Sequence, residues 1–146
     1  MPVTVEIADA KAGKEDLVRV FSYFNYVDEK FSTYKKNSEV NRINQGKIKV
    51  GNYSQDMKEV LALAERTREE TNGYFDMNRN GKMDPSGLVK GWAIKNTAQI
   101  LEKAGFKNFY VEAGGDIQVK GKNKHNKPWR IGIQNPFNAK ESSTTT

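Results

Sequence analysis

The sequence predicts an α+β fold in which helices pack on a mostly antiparallel sheet. An opening segment, residues 3–7, alternates apolar and polar side chains as a half-buried strand does. Helical patterns fill the middle of the chain, and three strand-like runs separated by glycines and a polar turn close it. This order of strand, helices and strands favours helices on one sheet. With 146 residues, the chain has the length of one ordinary domain.

The first two helices are predicted from apolar spacing and turn residues. From Lys14 to Phe31 the apolar positions recur every three or four residues, which is typical of an amphipathic helix. A short helix is predicted around Ser38–Asn44, with a stop at Gly46. The stretch KIKVGN that follows, residues 47–52, is interpreted as a brief strand.

Two further helices have clearer boundaries. Ser54 is a good N-cap for a helix that ends at residues 72–73, an Asn-Gly pair. Another helix is predicted to start near Ser86 or Gly87 and to end at Gly105.

The C-terminal part lacks a partner for its last strand. The run WRIGIQNP, residues 129–136, resembles an interior strand that pairs on both sides, but residues 137–146 add no hydrophobic element. We therefore expect a domain over residues 1–136, truncated at its C-terminus, and a flexible polar tail over residues 137–146. Pairing of this edge with another domain or a second copy, as in a homo-oligomer, stays an open alternative.

Composition excludes several classes of function. The chain has no cysteine, so a disulfide framework, a thiol nucleophile and a lipid-modified cysteine are excluded. No apolar run reaches membrane-spanning length, and the N-terminus lacks the order of a signal peptide. A cytoplasmic location and an extracytoplasmic one after removal of a leader both stay open. The net charge of +6 comes from dispersed lysines, so we do not expect a nucleic-acid partner.

Residues 76–87 allow a calcium-loop hypothesis. Asp76, Asn78, Asn80 and Asp84 have the spacing of oxygen ligands in a helix–loop–helix calcium site. However, the position that requires a bidentate carboxylate is Gly87, which has no side-chain oxygen. Calcium binding is therefore the remote alternative.

The same residues also allow an anion-site hypothesis. Asp84 would end a strand, residues 85–87 would form the turn before a helix, and Lys90 would lie one turn further on. Free N–H groups at a helix N-terminus, together with a nearby cation, suit a diphosphate.

Five stretches, taken in order, are similar to the FAD:protein FMN transferase family, the ApbE-like flavin transferases. They are FSTYKKNSEVNRIN (31–44), TNGYFD (71–76), DPSGLVKGWAI (84–94), EAGGDI (112–117) and WRIGIQNP (129–136).

The resemblance implies an ApbE-like fold and a concrete reaction. Such enzymes use magnesium to cleave FAD and to transfer FMN to a Thr or Ser of a target flavoprotein, with release of AMP. The FAD-binding residues that it implies are Tyr34, Tyr74, Phe75, Asp76, Asp84 and Lys90. It also implies that the backbone carbonyl of Gly87 binds Mg²⁺, and it assigns no catalytic residue in this chain.

The chain departs from the family in its C-terminal part. The family's later half carries a glycine-serine segment, a histidine motif and further magnesium ligands that are absent here, and the one histidine, His125, is at the wrong place. Two hypotheses follow: this is the N-terminal portion of a flavin transferase, or it is a flavin-nucleotide-binding module without catalysis.

Overall fold

The computed structural model describes residues 1–135, 137 and 142–145, and for residues 134 and 142–145 it describes the backbone alone. The helices are α1 (Lys14–Phe31), α2 (Glu39–Asn44), α3 (Gln55–Glu70) and α4 (Ser86–Lys103). The strands are β1 (Val3–Ile7), β2 (Asn78–Arg79), β3 (Lys82–Met83), β4 (Phe109–Ala113), β5 (Asp116–Lys120), β6 (Ile131–Gln134) and β7 (Ser142–Thr145). The predicted α+β class is confirmed.

A three-stranded antiparallel sheet with the order β1-β4-β5 supports the helices. In the central strand β4, Phe109, Val111 and Ala113 are buried and alternate with half-buried Tyr110 and Glu112. Alternation of this kind places one face of the sheet against the core. The buried face packs on α1 and α4.

Two hydrophobic clusters form the core, and α4 contributes to both. The first cluster joins the sheet to α4 through Ile94, Ala98 and Leu101. The second joins α1, α2 and α3 to the first half of α4, where Val89 and Trp92 are buried. The helical boundaries follow from local signals, since Ser38 and Ser54 cap α2 and α3 through their side-chain oxygens, as their N-cap type predicts.

The strand predicted at residues 47–52 is wrong. Val50–Asn52 form a single 3₁₀ turn, and Val50 is exposed. The stretch lies between α2 and α3, where none of the described strands pairs with it. Alternating apolar residues form a strand only where a neighbouring strand accepts their backbone hydrogen bonds.

The calcium-loop hypothesis is also wrong, because its residues fold as a β-hairpin. β2 pairs with β3 in antiparallel register, and the turn residues Asn80 and Gly81 have φ angles of +52° and +74°. Two positive φ angles in an Asn-Gly pair are typical of a two-residue hairpin turn. A helix–loop–helix site would instead wrap this segment around an ion.

The C-terminal strands form a separate two-stranded sheet, in which β6 pairs with β7. Within the described residues β6 therefore has one neighbouring strand, not the two expected. Of the predicted flexible tail, residues 138–141 and 146 lie outside the described residues, and the division into a domain and a tail stays a prediction. None of the helices in the described part has the length and apolar character needed to cross a bilayer.

Candidate functional site

A cavity of about 430 Å³ lies between α1, the loop after it and the first turns of α4. Its lining combines apolar side chains with a few polar ones. The lining includes Phe24, Phe31, Tyr34, Ser86, Val89 and Lys90. Cavities that hold cofactors commonly combine apolar walls with a few polar groups of this kind.

Ser86, the first residue of α4, contributes a polar group to the cavity lining. One carboxylate oxygen of Asp84, Oδ1, accepts hydrogen bonds from the backbone N–H of Ser86 at 3.1 Å and from its hydroxyl at 2.6 Å. Pro85 lies between Asp84 and Ser86 in the sequence, and its side chain is buried. Its backbone nitrogen carries no proton and therefore needs no hydrogen-bond acceptor. A carboxylate at this end also complements the positive end of the helix dipole. The turn that enters the cavity is therefore held by its own side chains.

Lys90 joins this helix to the turn between β4 and β5. Its ammonium group lies 3.1 Å from the carboxylate of Asp116 and donates to the backbone carbonyl of Gly114 at 3.0 Å. The side chain is partly exposed and also lines the cavity. The sheet thus positions a cation on the cavity wall, one turn from the start of α4.

Tyr34 occupies the loop that follows α1. Its side chain is 98% exposed although it lines the cavity, so the protein core does not account for it. Neighbouring Lys35 pairs with Asp28 of α1 at 2.5 Å and also with Glu29. An exposed aromatic ring at a cavity mouth is available for stacking on a planar ligand.

The predicted segment of residues 74–76 lies outside the cavity lining. Tyr74 is 96% exposed, and the carboxylate of Asp76 accepts a hydrogen bond from the N–H of Asn78 at 2.8 Å, which stabilises the approach to the hairpin. Phe75 is half-buried against the start of α4, where a Cβ atom on Gly87 would lie 3.3 Å from its ring. Of the predicted site residues, the structure therefore brings Tyr34 and Lys90 to the cavity lining, which Ser86 joins. Asp84 and Gly87, the sequence neighbours of Pro85 and Ser86, lie outside the lining, as residues 74–76 do.

The described residues alone do not supply a complete magnesium site. They contain no group of three or more Asp, Glu or His side chains arranged to hold a metal ion. Near Gly87 they offer Asp84, whose Oδ1 is engaged with Ser86, and Gly87's own carbonyl within α4. Magnesium takes six oxygen ligands and is often held by one or two carboxylates together with substrate phosphates and water. A Mg²⁺ ion here would therefore need the diphosphate of a bound ligand to complete its coordination.

Sequence reasoning missed two asparagines of α2. Asn41 and Asn44 make side-chain hydrogen bonds to the loop of Tyr34 and to the strand before Asp84. Asparagine is a poor helix former, so two of them in a six-residue helix were a signal that their amides bond elsewhere.

The ApbE family profile matches residues 1–80 and 77–146, which together span the whole chain. The chain belongs to the ApbE family. The resemblance that the five sequence stretches indicated is thereby confirmed.

Relatives of this ApbE-family chain include enzymes named FAD:protein FMN transferase. The one from Haemophilus influenzae is 28% identical over 167 aligned positions, covering 75% of this chain and 47% of that protein. The one from Vibrio cholerae is 43% identical over 54 residues, covering 37% of this chain and 16% of that protein.

Solved structures show the same fold. The flavin transferase ApbE from Vibrio cholerae, in a mutant form, superposes with a TM-score of 0.83 at 21% identity, covering 97% of this chain and 65% of that one. Pseudomonas stutzeri flavinyl transferase ApbE, in its apo form, gives a TM-score of 0.82 at 18% identity, with coverages of 98% and 61%. This chain thus spans about half of the Haemophilus relative and under two thirds of each of these structures.

The alignment with the Haemophilus relative is longer than the part of this chain that it covers. Seventy-five per cent of 146 residues is about 110, so about 57 of the 167 aligned positions have no counterpart in this chain. The two matches of the family profile overlap at residues 77–80, at the start of the β2–β3 hairpin.

Proposed function

We propose that this chain forms the FAD-binding part of an FAD:protein FMN transferase. The enzyme would move FMN from FAD onto a Thr or Ser hydroxyl of a target flavoprotein, with release of AMP. The observation that carries the proposal is that Tyr34, Ser86 and Lys90 line the same cavity in a chain of the ApbE family. The names of the relatives support it further.

The cavity offers separate groups for the separate parts of FAD. Tyr34 would stack on a ring of the nucleotide, since its own ring is exposed at the cavity mouth. The N–H of Gly87, which makes no hydrogen bond within the described residues, and the ammonium of Lys90 would bind the diphosphate. The second oxygen of Asp84, Oδ2, makes no hydrogen bond within the described residues and would accept one from FAD.

Transfer requires positioning more than covalent help from the protein. The target hydroxyl oxygen would form a bond to the FMN phosphorus, the bridging P–O bond of the diphosphate would break, and AMP would leave with its electron pair while the hydroxyl proton passes to solvent. Phosphoryl transfer of this kind gains mainly from alignment and charge neutralisation. Mg²⁺, bound by the Gly87 carbonyl and the phosphates, would supply part of that neutralisation.

A flavin-nucleotide-binding module without catalysis is the second candidate. It requires only the binding groups of the cavity, Tyr34, Ser86 and Lys90. The two candidates differ in one product. A transferase leaves FMN covalently attached to a Thr-containing target peptide in the presence of Mg²⁺, whereas a binding module leaves the peptide unchanged.

The test is a titration of the chain with FAD, followed by flavin fluorescence, with and without Mg²⁺. We expect saturable binding, and we expect Asp84→Ala and Lys90→Ala each to raise the Kd about tenfold, which corresponds to about 1.4 kcal/mol. Asn80→Ala is the matched control, because Asn80 lies in the hairpin turn away from the cavity lining. Absence of binding by a folded chain, or equal effects of all three variants, would contradict the proposed site.

A further inference from the structure

We propose that Asn41 and Asn44 are positioning residues that hold the two walls of the FAD cavity from a common base, helix α2. The inference rests on the proposed function for its ligand, but its geometry is independent of it. The two asparagines lie three residues apart, on neighbouring positions of one helical face. Asn41 bonds to backbone groups on either side of Tyr34 in the cavity lining, and Asn44 bonds to the backbone three residues before Ser86 of the lining.

Asn44 holds the strand that leads into the α4 turn. Its amide nitrogen donates to the carbonyl of Met83 at 2.9 Å, and its carbonyl oxygen accepts from the N–H of Met83 at 2.8 Å. Both backbone groups of the residue before Asp84 are thus engaged by one side chain, 39 positions away in the chain. This pair of bonds positions the last residue of β3, and Asp84 follows directly.

Asn41 holds the loop of Tyr34. Its amide nitrogen donates to the carbonyls of Thr33 at 2.8 Å and of Lys35 at 3.0 Å, the two residues on either side of Tyr34. An amide nitrogen has two protons, and both are used here. Because the Tyr34 ring is almost fully exposed, the position of its backbone decides where the ring stands.

Helix α2 is itself firmly anchored. Val40 and Ser38 are buried in the core, and the carboxylate of Glu39 accepts from the N–H and the hydroxyl of Ser54 at 2.8 and 2.7 Å. A helix fixed at its base can act as a rigid reference for two loops. Loss of either amide would therefore free one wall of the cavity without removing any apolar core side chain.

The test compares Asn44→Ala and Asn41→Ala with Asn25→Ala, a matched control on the exposed surface of α1. Amide hydrogen exchange is measured on the protein without ligand, and FAD affinity is measured by fluorescence titration. We expect Asn44→Ala to speed exchange about tenfold or more at residues 83–86, except at Pro85, which has no amide proton, and we expect Asn41→Ala to do so at residues 34–36. The amide of Val111 in the central strand should be unchanged, and the Kd for FAD should rise about tenfold in both variants.

The outcomes separate the two proposals. If the original chain binds no FAD, the proposed function fails, and the exchange pattern alone still decides whether the asparagines hold the walls. If exchange at Val111 accelerates as much as at residues 83–86, the asparagines contribute to global stability and the positioning role is overturned. Local acceleration with an unchanged Kd in a chain that binds FAD would also overturn it.

Discussion

Gly87 shows how one missing side chain determines the packing behind the cavity. It is the second residue of α4, and the ring of Phe75 lies against the position of its absent Cβ. The backbone of Gly87 is helical rather than left-handed, so conformational freedom does not explain the glycine. The close approach of Phe75 explains the glycine instead, because a Cβ atom on residue 87 would lie 3.3 Å from the Phe75 ring.

We expect Gly87→Ala to stabilise the protein less than Gly91→Ala does. Alanine exceeds glycine in helix propensity, by about 0.5–1 kcal/mol in a helix interior. At Gly91 nothing lies within 4 Å of a new Cβ, so that gain should appear as a higher free energy of unfolding in urea titrations. At Gly87 the cost of displacing the Phe75 ring should cancel the gain in helix propensity. Equal stabilisation by both substitutions would show that the Phe75 contact is loose.

The solvent exposure of single residues was only partly predictable from the sequence. Tyr34 at the cavity and His125 in its loop are exposed. Trp92 is buried, and its indole N–H donates to Glu59 at 3.1 Å. The predicted FAD-binding roles all stay predictions, and of those residues the cavity lining includes Tyr34 and Lys90.

At the scale of elements, a polar cluster joins helices α1, α2 and α3. The ammonium of Lys30 lies 3.0 Å from Asp56 and 3.9 Å from Glu39, and the hydroxyl of Tyr26 donates to Asp56 at 2.5 Å. Lys30 has only 15% of its side chain exposed. Partly buried charge pairs with several hydrogen bonds contribute more to the stability of the folded state than exposed pairs do.

The cluster predicts a loss of stability in acid. Burial opposes ionisation of Asp56, but hydrogen bonds from Tyr26 and Lys30 outweigh it and lower the pKa of the carboxyl below its ordinary 3.8. A lowered folded-state pKa means that the folded state binds fewer protons. The stabilisation is therefore complete above the unfolded-state pKa near 3.8 and is lost as pH falls through the lower folded-state pKa.

We expect Asp56→Asn to reduce this dependence. The free energy of unfolding should fall by about 1 kcal/mol near neutral pH and should change less below pH 4 than in the original chain. Urea titrations at several pH values measure both effects. Glu15→Gln, which removes one exposed carboxylate from α1, is the control and should leave the acid slope unchanged. If the free energy of unfolding of Asp56→Asn falls with pH as steeply as that of the original chain, Asp56 is not the source of the acid dependence.

Elements with local start and stop signals were predicted well. Helix α1 has the predicted bounds, and the serine caps and Gly105 mark the other helices, because capping and apolar spacing act within a few residues. The strand predicted at residues 47–52 failed for the opposite reason. Strand formation depends on a partner that lies elsewhere in the chain.

At the scale of the whole molecule, α4 connects the two core clusters. Its first half packs with α2 and α3, and its second half packs on the sheet. Phe24 of α1 also contacts both clusters. Helix α1 is shared too, through Val20 in the first cluster and Val27 in the second, so loss of packing in one cluster exposes part of the other.

We therefore expect one cooperative unfolding transition. Trp92 fluorescence should report the helical cluster, and far-ultraviolet circular dichroism should report the whole chain, with coincident midpoints in urea. Trp129→Phe removes the second tryptophan signal.

Substitutions on either side of α4 give the sharper comparison. Leu101→Ala in the sheet cluster and Val60→Ala in the helical cluster should each shift both midpoints together, at a cost of about 2–4 kcal/mol. Separate midpoints for the two probes would show that the clusters unfold as independent units.

The sequence by itself determined the class of fold, the helices and their caps, and membership of the ApbE family, because periodicity, capping residues and ordered motifs are local properties of the chain. The tertiary structure alone decided which of those residues meet. It joined Lys90 to Asp116, placed Phe75 against Gly87, and set Asn44 on the backbone of Met83. Contacts across so many positions depend on how whole elements pack, and no pattern within one element records that packing.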